Sequence, residues 1–483
     1  MLLKNKTALE IGQMIREKNI SCVEVTDCYI KNIKEKNKNI NAYITLCEDY
    51  AYKQAQSIQR KIDKGEILSP LAGVPMALKD NICTKDILTT CGSKMLSDFK
   101  PVYDATVVER LKNAGAVILG KLNMDEFAMG SSTETSFYGV VKNPWNEKKV
   151  AGGSSGGGAA AVAEELCAYS LGTDTGGSVR QPCSFCSVSG IKPTYGAVSR
   201  YGIIAYASSF DQVGPIGKDI KDCGAVLNII SGRDEKDATS LNEKFSPFTL
   251  KDGLKGIKIG VPKNYISENI DEDVRRCVLD CVDEFKALGA EIDFFELPYA
   301  DYAVAAYYVI ACAQASSNLS RYDGIRYGYR KEGIKDLSSL YVQNRSKAFG
   351  AEVKRRIMLG TYVLSKGYYD DYYRKALKAR ALIKASFHET FKEYDVILSP
   401  VAPTTAYDIG KNSEDPLKMY MGDIYTVSVN LAGLPAVSIP CGFGEGNMPV
   451  GVQLIGEALS ENKLISIASC YQEETNHHLK RRG

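Results

Sequence analysis

The segment VAGGSSGGGAAAVAEELCAYSLGTDTGGSVR spans residues 150–180 and contains two glycine clusters, at 152–158 and 172–178. Between the clusters, residues 159–163 form a helix-favouring alanine run, and residues 166–171 form an apolar run of the length of a buried strand. The glycines therefore lie at junctions between packed elements. At such junctions they permit positive φ and let a ligand approach the backbone closely.

Three interpretations of these glycines compete. A flexible linker is disfavoured because linkers adjoin polar, mobile sequence, whereas the runs beside these clusters are apolar. A phosphate-binding loop is disfavoured because the segment lacks the Gly-Lys-Ser/Thr ending and the Gly-x-Gly-x-x-Gly spacing. The third interpretation is catalytic, with Ser154 and Ser178 presented on glycine-rich backbone and brought together by the helix and strand between them.

A serine nucleophile needs a base, because its hydroxyl is weak at neutral pH. The chain has only three histidines, His388, His477 and His478, and none has glycine-rich or apolar surroundings. Lys79 is the better candidate, since it follows the apolar run at 71–78, and open α/β sheets usually carry their chemistry at strand carboxyl ends. Burial there would lower the pKa of the lysine. Taken alone, Lys79 also fits a surface lysine whose stem packs on apolar neighbours.

Lys79, the run GGSSGGGAAAVA at 152–163 and the run GTDTGGSVRQP at 172–182 together resemble the amidase signature family. The resemblance implies a Ser-Ser-Lys triad, in which Ser178 is the acyl-forming nucleophile, Ser154 the bridging serine and Lys79 the final base. It also implies a cis peptide bond between Gly153 and Ser154. Backbone amides of the second glycine cluster would form the oxyanion hole, at Thr175, Gly176, Gly177 and Ser178.

Three further stretches extend the resemblance over nearly the whole chain, towards glutamine-hydrolysing members of the family: AYY at 306–308, EVKRRI at 352–357 and KMYMGDIYT at 418–426. The resemblance implies a pocket for free glutamine, in which Arg356 grips the carboxylate, Asp423 pairs with the ammonium and Tyr307 contributes to the wall. On the residues alone, Arg356 could be one more surface cation and Asp423 a helix cap. The neighbouring Arg355 and Tyr308 are the alternatives for these roles.

The same resemblance implies a glutaminase subunit of a tRNA-dependent amidotransferase, which supplies ammonia to convert Glu-tRNA(Gln) to Gln-tRNA(Gln). It implies B and C subunits in a heterotrimer, in which ATP and Mg²⁺ are used by the partner subunit, while the B subunit binds most of the tRNA. The absence of a P-loop agrees with ATP being used elsewhere. We expect no metal or cofactor in this chain. Two alternatives stay open: a stand-alone amidase for small aliphatic or aryl amides, and a catalytically inactive scaffold.

Alternating helical and strand patterns predict an α/β protein. We expect the amidase signature fold, with a mixed, mainly parallel, twisted central sheet flanked by helices on both faces. A single amidase domain should cover residues 1–483. An N-terminal helical segment would cover residues 1–65, and the amidase core would cover about 66–220 and 395–460. A helical insertion at about 300–394 would bear part of the substrate pocket. Capping boxes at Thr7 and Ser21 predict where the first two helices begin.

Bulk composition argues against several classes of protein. The net charge of +2 does not suit a strong polyelectrolyte binder. The segment at 302–394 is rich in tyrosine and basic residues, and both an RNA-binding face and a solvated helical face stay open for it. No run approaches the ~18 apolar residues of a membrane span. The N-terminal sequence has no signal-peptide core, so we expect a cytoplasmic protein.

Two other groups of reactive residues are interpreted as structural. Fourteen scattered cysteines predict reduced, mostly buried thiols. Cys183 and Cys186 form a C-x-x-C pair, but no second pair and no histidine lies nearby to complete a zinc site. We expect this pair to pack behind the nucleophile. Asp125 and Glu126 resemble an acid/base pair, but adjacent side chains usually point apart, so we expect structural roles for both.

Overall fold

The computed structural model describes residues 3–66, 69–243, 245–246, 248–250, 252–267, 269–411 and 415–480. Its strands, in chain order, are β1 (Tyr43–Leu46), β2 (Pro75–Lys79), β3 (Val117–Leu122), β4 (Lys142–Asn143), β5 (Asn146–Val150), β6 (Tyr169–Thr173), β7 (Ser189–Lys192), β8 (Val213–Gly217), β9 (Lys258–Pro262), β10 (Glu291–Phe295), β11 (Val396–Pro400), β12 (Ala436–Phe443) and β13 (Pro449–Ile455).

The α-helices are α1 (Ala8–Arg16), α2 (Cys22–Ile40), α3 (Glu48–Asp63), α4 (Thr106–Asn113), α5 (Gly156–Ala163), α6 (Arg180–Cys186), α7 (Ile220–Ile230), α8 (Glu272–Ala287), α9 (Ala303–Asn318), α10 (Leu337–Ala348), α11 (Ala351–Val363), α12 (Lys375–Thr390), α13 (Pro416–Met421), α14 (Val427–Ala432) and α15 (Glu461–Thr475). A π-helical turn at Tyr369–Arg374 precedes α12. None of the helices in the described ranges combines the length and the apolar character needed to cross a bilayer.

Eleven strands form one sheet, in the order β1-β3-β2-β6-β8-β7-β12-β13-β11-β9-β10, and β4 and β5 form a separate hairpin. Strands β3, β2 and β6 are a parallel block, and β11, β9 and β10 are a second one. From β6 through β8, β7, β12 and β13 to β11, neighbouring strands run antiparallel. The predicted α/β fold with a mixed central sheet is confirmed, and its parallel pairing lies in the two outer blocks.

Successive side chains of a strand point to opposite faces of the sheet. In β11, Val396 and Leu398 enter one apolar cluster, whereas Ile397 enters another. The first cluster includes buried residues of α7, α8 and α15, and the second includes buried residues of α9, α12 and α14. Helices therefore pack on both faces of the sheet, as expected.

Local sequence explains where several elements begin. Both expected capping boxes are present, with the Thr7 and Ser21 side chains each accepting a hydrogen bond from the backbone three residues later. The strand that carries Lys79 begins at Pro75 and not at 71, because Gly73 takes a φ of 81° in the turn before it. Likewise, the apolar run at 166–171 becomes strand only from Tyr169.

The division of the chain into a core and an insertion stays a prediction. Residues 3–65 contain α1, α2, α3 and β1, and β1 pairs antiparallel with β3 at the edge of the sheet. The segment at 300–394 contains α9 to α12 and the π-helical turn.

All fourteen cysteines are free, and most of them are buried.

Candidate active site

Lys79, the last residue of β2, is 1% exposed. Its Nζ lies 2.7 Å from Ser154 Oγ, 2.8 Å from Ser155 Oγ and 3.4 Å from the carbonyl oxygen of Thr173. Burial lowers the pKa of Lys79 to about 7, although charges such as Asp125 act in the opposite direction. A lysine with such a pKa is partly neutral at neutral pH and can accept a proton from a hydroxyl.

Ser154 and Ser155 lie in the loop between β5 and α5. The Gly153–Ser154 peptide bond is cis. Ser155 joins Lys79 to β6, since its hydroxyl donates to the Thr173 carbonyl at 3.1 Å and accepts from the Thr173 N–H at 3.3 Å. Ser155 was not singled out from the sequence, where only its position beside Ser154 pointed to it.

Ser178 lies in the loop between β6 and α6. Its carbonyl accepts the N–H of Ser155 at 3.1 Å, so the backbone holds the two serine loops together. Ser178 is 8% exposed, whereas Ser154 is fully buried. Within the described residues no hydrogen bond joins the Ser178 and Ser154 hydroxyls. Lys79 and Ser154 are thus in direct contact, and the loop that carries Ser178 is joined to them by its backbone hydrogen bond with Ser155.

Asp174 organises the loop that carries Ser178. Its Oδ1 accepts the N–H of Gly177 at 2.9 Å, and its Oδ2 accepts the N–H of Val179 at 3.2 Å. Arg180 donates to the same carboxylate from Nε and Nη2, both at 3.0 Å. Burial opposes ionisation of Asp174, but the Arg180 guanidinium outweighs it and lowers the pKa of Asp174 below its usual range.

This arrangement corrects one assignment in the oxyanion hole. The N–H of Gly177 is occupied by Asp174 and is not free for a substrate oxygen. The N–H groups of Thr175, Gly176 and Ser178 meet no protein acceptor in the part of the chain that the structure describes. The predicted hole of four donors therefore reduces to three, whose role stays a prediction.

Tyr307 of α9 is buried against the same loop. A Cβ added to Gly176 would lie 2.5 Å from the Tyr307 hydroxyl, so only glycine allows this close approach. The Tyr307 ring also packs on Phe210, with 5.6 Å between ring centroids. Tyr307 therefore packs against the loop that carries Ser178, next to Gly176.

Arg356 of α11 is 2% exposed and faces the interior. Its Nε donates to Glu352 Oε1 at 2.8 Å, and its Nη1 donates to the Tyr206 hydroxyl at 2.6 Å. The guanidinium carbon lies 5.1 Å from the ring centroid of Tyr308 and 5.4 Å from that of Tyr420. Such stacking on aromatic faces stabilises a desolvated guanidinium. Tyr206 was not identified from the sequence.

Arg355 pairs with the other oxygen of the same Glu352 carboxylate, but it lies closer to the surface. Its side chain is 41% exposed. It lines a surface cavity of about 230 Å³ together with Glu126 and Glu134, and Arg356 does not line this cavity. Of the two neighbouring arginines, Arg356 is the one held among buried aromatic side chains.

Asp423 is 7% exposed and lies four residues before α14. The Tyr308 hydroxyl donates to its Oδ2 at 2.7 Å, and the Ser131 hydroxyl contacts both oxygens, at 2.9 and 3.0 Å. Burial raises the pKa of Asp423 to about 6. Tyr308 thus touches both charged residues, with its ring beside Arg356 and its hydroxyl on Asp423. Tyr308, considered only as an alternative to Tyr307, and Ser131, not considered, both belong to this site.

Asp125 and Glu126 hold separate loops. Asp125 Oδ2 accepts the N–H of Thr133 at 2.9 Å, and Asp125 Oδ1 accepts the hydroxyl of Thr135 at 2.9 Å. Glu126 accepts hydrogen bonds from the Ser93 hydroxyl and, at 2.7 Å, from the Gly350 N–H. These contacts fit the structural roles expected for both acids.

Cys183 and Cys186 lie on α6, the helix that follows Ser178, and both are buried. The Cys186 thiol donates to the carbonyl of Ala151 at 3.3 Å. Over the described ranges, no three His, Cys, Asp or Glu side chains lie close enough together to hold a metal ion.

Known proteins are similar to this chain in sequence and in fold. The family model "Amidase" matches residues 24–465. A protein of Agathobacter rectalis, named as the A subunit of glutamyl-tRNA(Gln) amidotransferase, is 54% identical over 483 residues, which are 100% of this chain and 96% of that protein. The crystal structure of the protein of that name from Thermotoga maritima has a TM-score of 0.78 and 41% identity, covering 94% of this chain and 92% of that one. The native peptide amidase of Stenotrophomonas maltophilia has a TM-score of 0.82 and 28% identity, with 98% of each chain covered.

Proposed function

The chain belongs to the amidase family, and on that premise we propose that it is the glutaminase subunit of a tRNA-dependent amidotransferase. It hydrolyses the side-chain amide of glutamine and supplies the ammonia that converts Glu-tRNA(Gln) to Gln-tRNA(Gln). The 54% identity over the full chain to the A subunit of a glutamyl-tRNA(Gln) amidotransferase supports this assignment.

One observation carries the proposal, a buried cation and a buried carboxylate that share one tyrosine. Arg356 lies beside the ring of Tyr308, whose hydroxyl donates to Asp423. Free glutamine carries a carboxylate and an ammonium on the same carbon atom, and a simple amide carries neither. The planar guanidinium suits the carboxylate, and Asp423 suits the ammonium. Arg356 is already paired with Glu352, whereas Asp423 meets only the hydroxyls of Ser131 and Tyr308 among the described residues. A buried carboxylate without a cation is costly, so Asp423 favours a substrate that brings an ammonium.

In the proposed reaction, neutral Lys79 accepts the proton of Ser154. Ser154 in turn accepts the proton of Ser178, whose Oγ attacks the carbon of the side-chain amide. The resulting oxyanion accepts hydrogen bonds from the N–H groups of Thr175, Gly176 and Ser178, and each such donor typically contributes ~10²–10³ in rate. The proton returns through Ser154 to the leaving nitrogen, and ammonia departs. Water, activated by the same relay, hydrolyses the glutamyl ester on Ser178.

Partner subunits follow from the product of this reaction. Ammonia released into solution would be protonated, and it would no longer be available for a synthetic reaction. We therefore propose a heterotrimer with B and C subunits, in which the B subunit uses ATP and Mg²⁺ to activate the glutamyl-tRNA and binds most of the tRNA. The complex would work in the cytoplasm.

The second candidate is a stand-alone amidase that acts on small aliphatic or aryl amides. The fold shared with the peptide amidase of Stenotrophomonas maltophilia favours it. The two candidates differ in substrate, because a stand-alone amidase of this kind does not need the pair formed by Arg356 and Asp423.

The test is to co-express the chain with its B and C subunits and to measure product release from glutamine and from butyramide. We expect glutamate from glutamine, and a glutamyl ester on Ser178 in acid-quenched samples analysed by mass spectrometry. Ser178→Ala should abolish both, while Ser320→Ala, which changes an exposed serine, should leave both intact. A complex that prefers butyramide would contradict the proposal.

A further inference from the structure

Gln181 joins three parts of the active site that lie far apart in the sequence. It is 2% exposed and belongs to the first turn of α6, three residues after Ser178. Its Oε1 accepts the N–H of Gly153 at 2.9 Å, and its Nε2 donates to the carbonyl of Ser131 at 2.9 Å. One side-chain amide therefore holds both the peptide before Ser154 and the residue whose hydroxyl contacts Asp423.

The surrounding backbone is shaped to admit this side chain. Gly152 has a φ of 80°, and a Cβ at that position would lie 2.5 Å from Gln181 Oε1 and 2.8 Å from the Cα of Pro182. A residue with a side chain at 152 would therefore displace Gln181 or the loop that carries Ser154. The absence of a side chain at 152 is what lets the glutamine amide reach the N–H of Gly153.

These contacts form a continuous path between the substrate anchor and the proton relay. The path runs from Asp423 to the Ser131 hydroxyl, and from the Ser131 carbonyl through the Gln181 amide to the N–H of Gly153. The next residue is Ser154, whose Oγ lies 2.7 Å from Lys79 Nζ. Buried hydrogen bonds of this kind limit the positions that each partner can take. Movement at either end is thus resisted at the other.

We propose that Gln181 is a positioning residue that fixes Ser154 against Lys79 through one of its hydrogen bonds and fixes the ammonium anchor through the other. The roles of Ser154 and Asp423 rest on the proposed function. Gln181 itself does not contact the reacting atoms. Its acceptor side sets the geometry of the proton relay, and its donor side sets the position of Ser131 and, through it, of Asp423.

Two substitutions separate these functions in the complex with the B and C subunits. Gln181→Met has a similar length and removes both hydrogen bonds. Gln181→Glu keeps an acceptor for the Gly153 N–H but has no proton to donate to the Ser131 carbonyl. The matched control is Gln472→Met, because Gln472 is also buried and bridges two segments, accepting the N–H of Ile220 at 2.9 Å and donating to the Ser189 hydroxyl at 2.8 Å.

Three quantities are measured for each variant: kcat for glutamine, KM for glutamine, and the rate at which a fluorophosphonate labels Ser178. In the labelling reaction the Ser178 oxygen attacks phosphorus and fluoride leaves, so the rate reports on the relay without requiring glutamine. For Gln181→Met we expect kcat and the labelling rate to fall by roughly 10²-fold, the size of effect that small misplacements of catalytic groups produce. For Gln181→Glu we expect labelling within about threefold of the wild-type rate and a KM raised by about tenfold, the loss typical of one buried hydrogen bond.

The Gln472→Met control should leave all three quantities close to wild type. A wild-type labelling rate in Gln181→Met would overturn the inference. Identical losses of kcat and labelling rate in both Gln181 variants, together with a lower melting temperature, would also overturn the inference, because that result indicates a purely structural role. If Gln181→Met does not assemble, Gln181→Glu decides alone: a labelling rate within about threefold of wild type with a KM raised about tenfold supports the inference, and an unchanged KM overturns it. Failure of the proposed function is a different result, since wild-type complex would then label at Ser178 but release no glutamate from glutamine.

Discussion

Replacing Lys79 by methionine should abolish glutaminase activity and make the folded chain more stable at neutral pH. The lysine is 1% exposed. Its Nζ contacts are the hydroxyls of Ser154 and Ser155 and the carbonyl of Thr173, and among the described residues no carboxylate pairs with it. Hydroxyls and a carbonyl do not replace the hydration of an ammonium, so burial lowers the pKa of Lys79 from 10.5 to about 7. Methionine has a similar length and no charge to desolvate.

The sign and size of the effect follow from proton linkage. Between pH 7 and 10.5 the unfolded chain binds the lysine proton and the folded chain does not, so stability rises with pH in this window. The cost of the buried lysine is fully present below the folded-state pKa, and the difference in pKa corresponds to roughly 4 to 5 kcal/mol. Losing three contacts of about 0.5–1.5 kcal/mol each offsets part of the gain. We therefore expect Lys79→Met to be more stable by about 1–3 kcal/mol at pH 7.

The assay is urea unfolding of the purified chain, followed by circular dichroism at pH 7 and at pH 9.5. The stability of Lys79→Met relative to wild type should fall by about 3 kcal/mol between these two pH values, so that at pH 9.5 the variant is no more stable than wild type. Lys192→Met is the matched control, because burial also lowers the pKa of Lys192 to about 7, while its Nζ contacts carbonyl groups of Pro193 and Leu434, outside the proposed triad. The control should show the same pH-dependent stability but retain glutaminase activity.

Activity gives an independent check of the same reasoning. Because the neutral amine is the proposed base, kcat/KM of the wild-type complex should rise with pH through about 7, and Lys192→Met should not move this midpoint. A Lys79→Met chain that is less stable than wild type at pH 7 would refute the reasoning. A stability difference that does not change with pH would refute it as well, because Lys79 would then be charged in the folded state and the relay would need another base.

Two further predictions concern the substrate pocket, and steady-state kinetics of the complex checks both. Arg356→Lys should raise KM for glutamine by about 10- to 100-fold with little change in kcat, since an ammonium cannot make two parallel bonds to a carboxylate. The control Arg355→Lys, at the more exposed arginine, should change neither KM nor kcat. Equal changes of KM in the two variants would contradict the assignment of Arg356. Tyr308→Phe should raise KM by about tenfold through loss of the hydroxyl bond to Asp423. Because that bond lowers the pKa of Asp423, its loss should move the acid limb of the KM profile to higher pH, and an unchanged profile would contradict this.

The sequence predicted those parts of the site that lie within short segments. Lys79 and the two serine loops belong to local strand-end or glycine-rich patterns. The cis Gly153–Ser154 bond, which the structure shows, was implied by the resemblance to the amidase signature family. The sequence did not identify the contacts between distant segments. Ser131 meets Asp423 across 292 positions, and Arg356 meets Tyr206 across 150. Neither serine nor tyrosine carries a local pattern that marks such a partner.

The same limit applies to the sheet. Parallel pairing of β9 with β10 follows from the strand–helix–strand pattern around α8, which the sequence predicts. The antiparallel centre brings β7 next to β12 although more than 240 residues separate them. Nothing in the alternation of either strand specifies that partner, because β7 is buried throughout and β12 is buried in all but its last residue. The sequence therefore predicted the strands of strand–helix–strand units such as β9 and β10, but it predicted neither β7 nor the order of strands in the sheet.

A lysine can serve as the base only if the acids that shape its loops do not pair with it. Charges on Asp125, Asp174 and Asp211 all act to raise the pKa of Lys79. Each of these acids instead binds its own loop: Asp125 accepts from residues 132–135, and Asp174 pairs with Arg180. Asp211 accepts the Thr175 hydroxyl at 2.7 Å and two backbone N–H groups. Because their hydrogen-bonding capacity is used within the loops, desolvation dominates at Lys79. The contacts that hold these loops in place are thus also the ones that keep the three acids from pairing with Lys79, as its proposed role as a base requires.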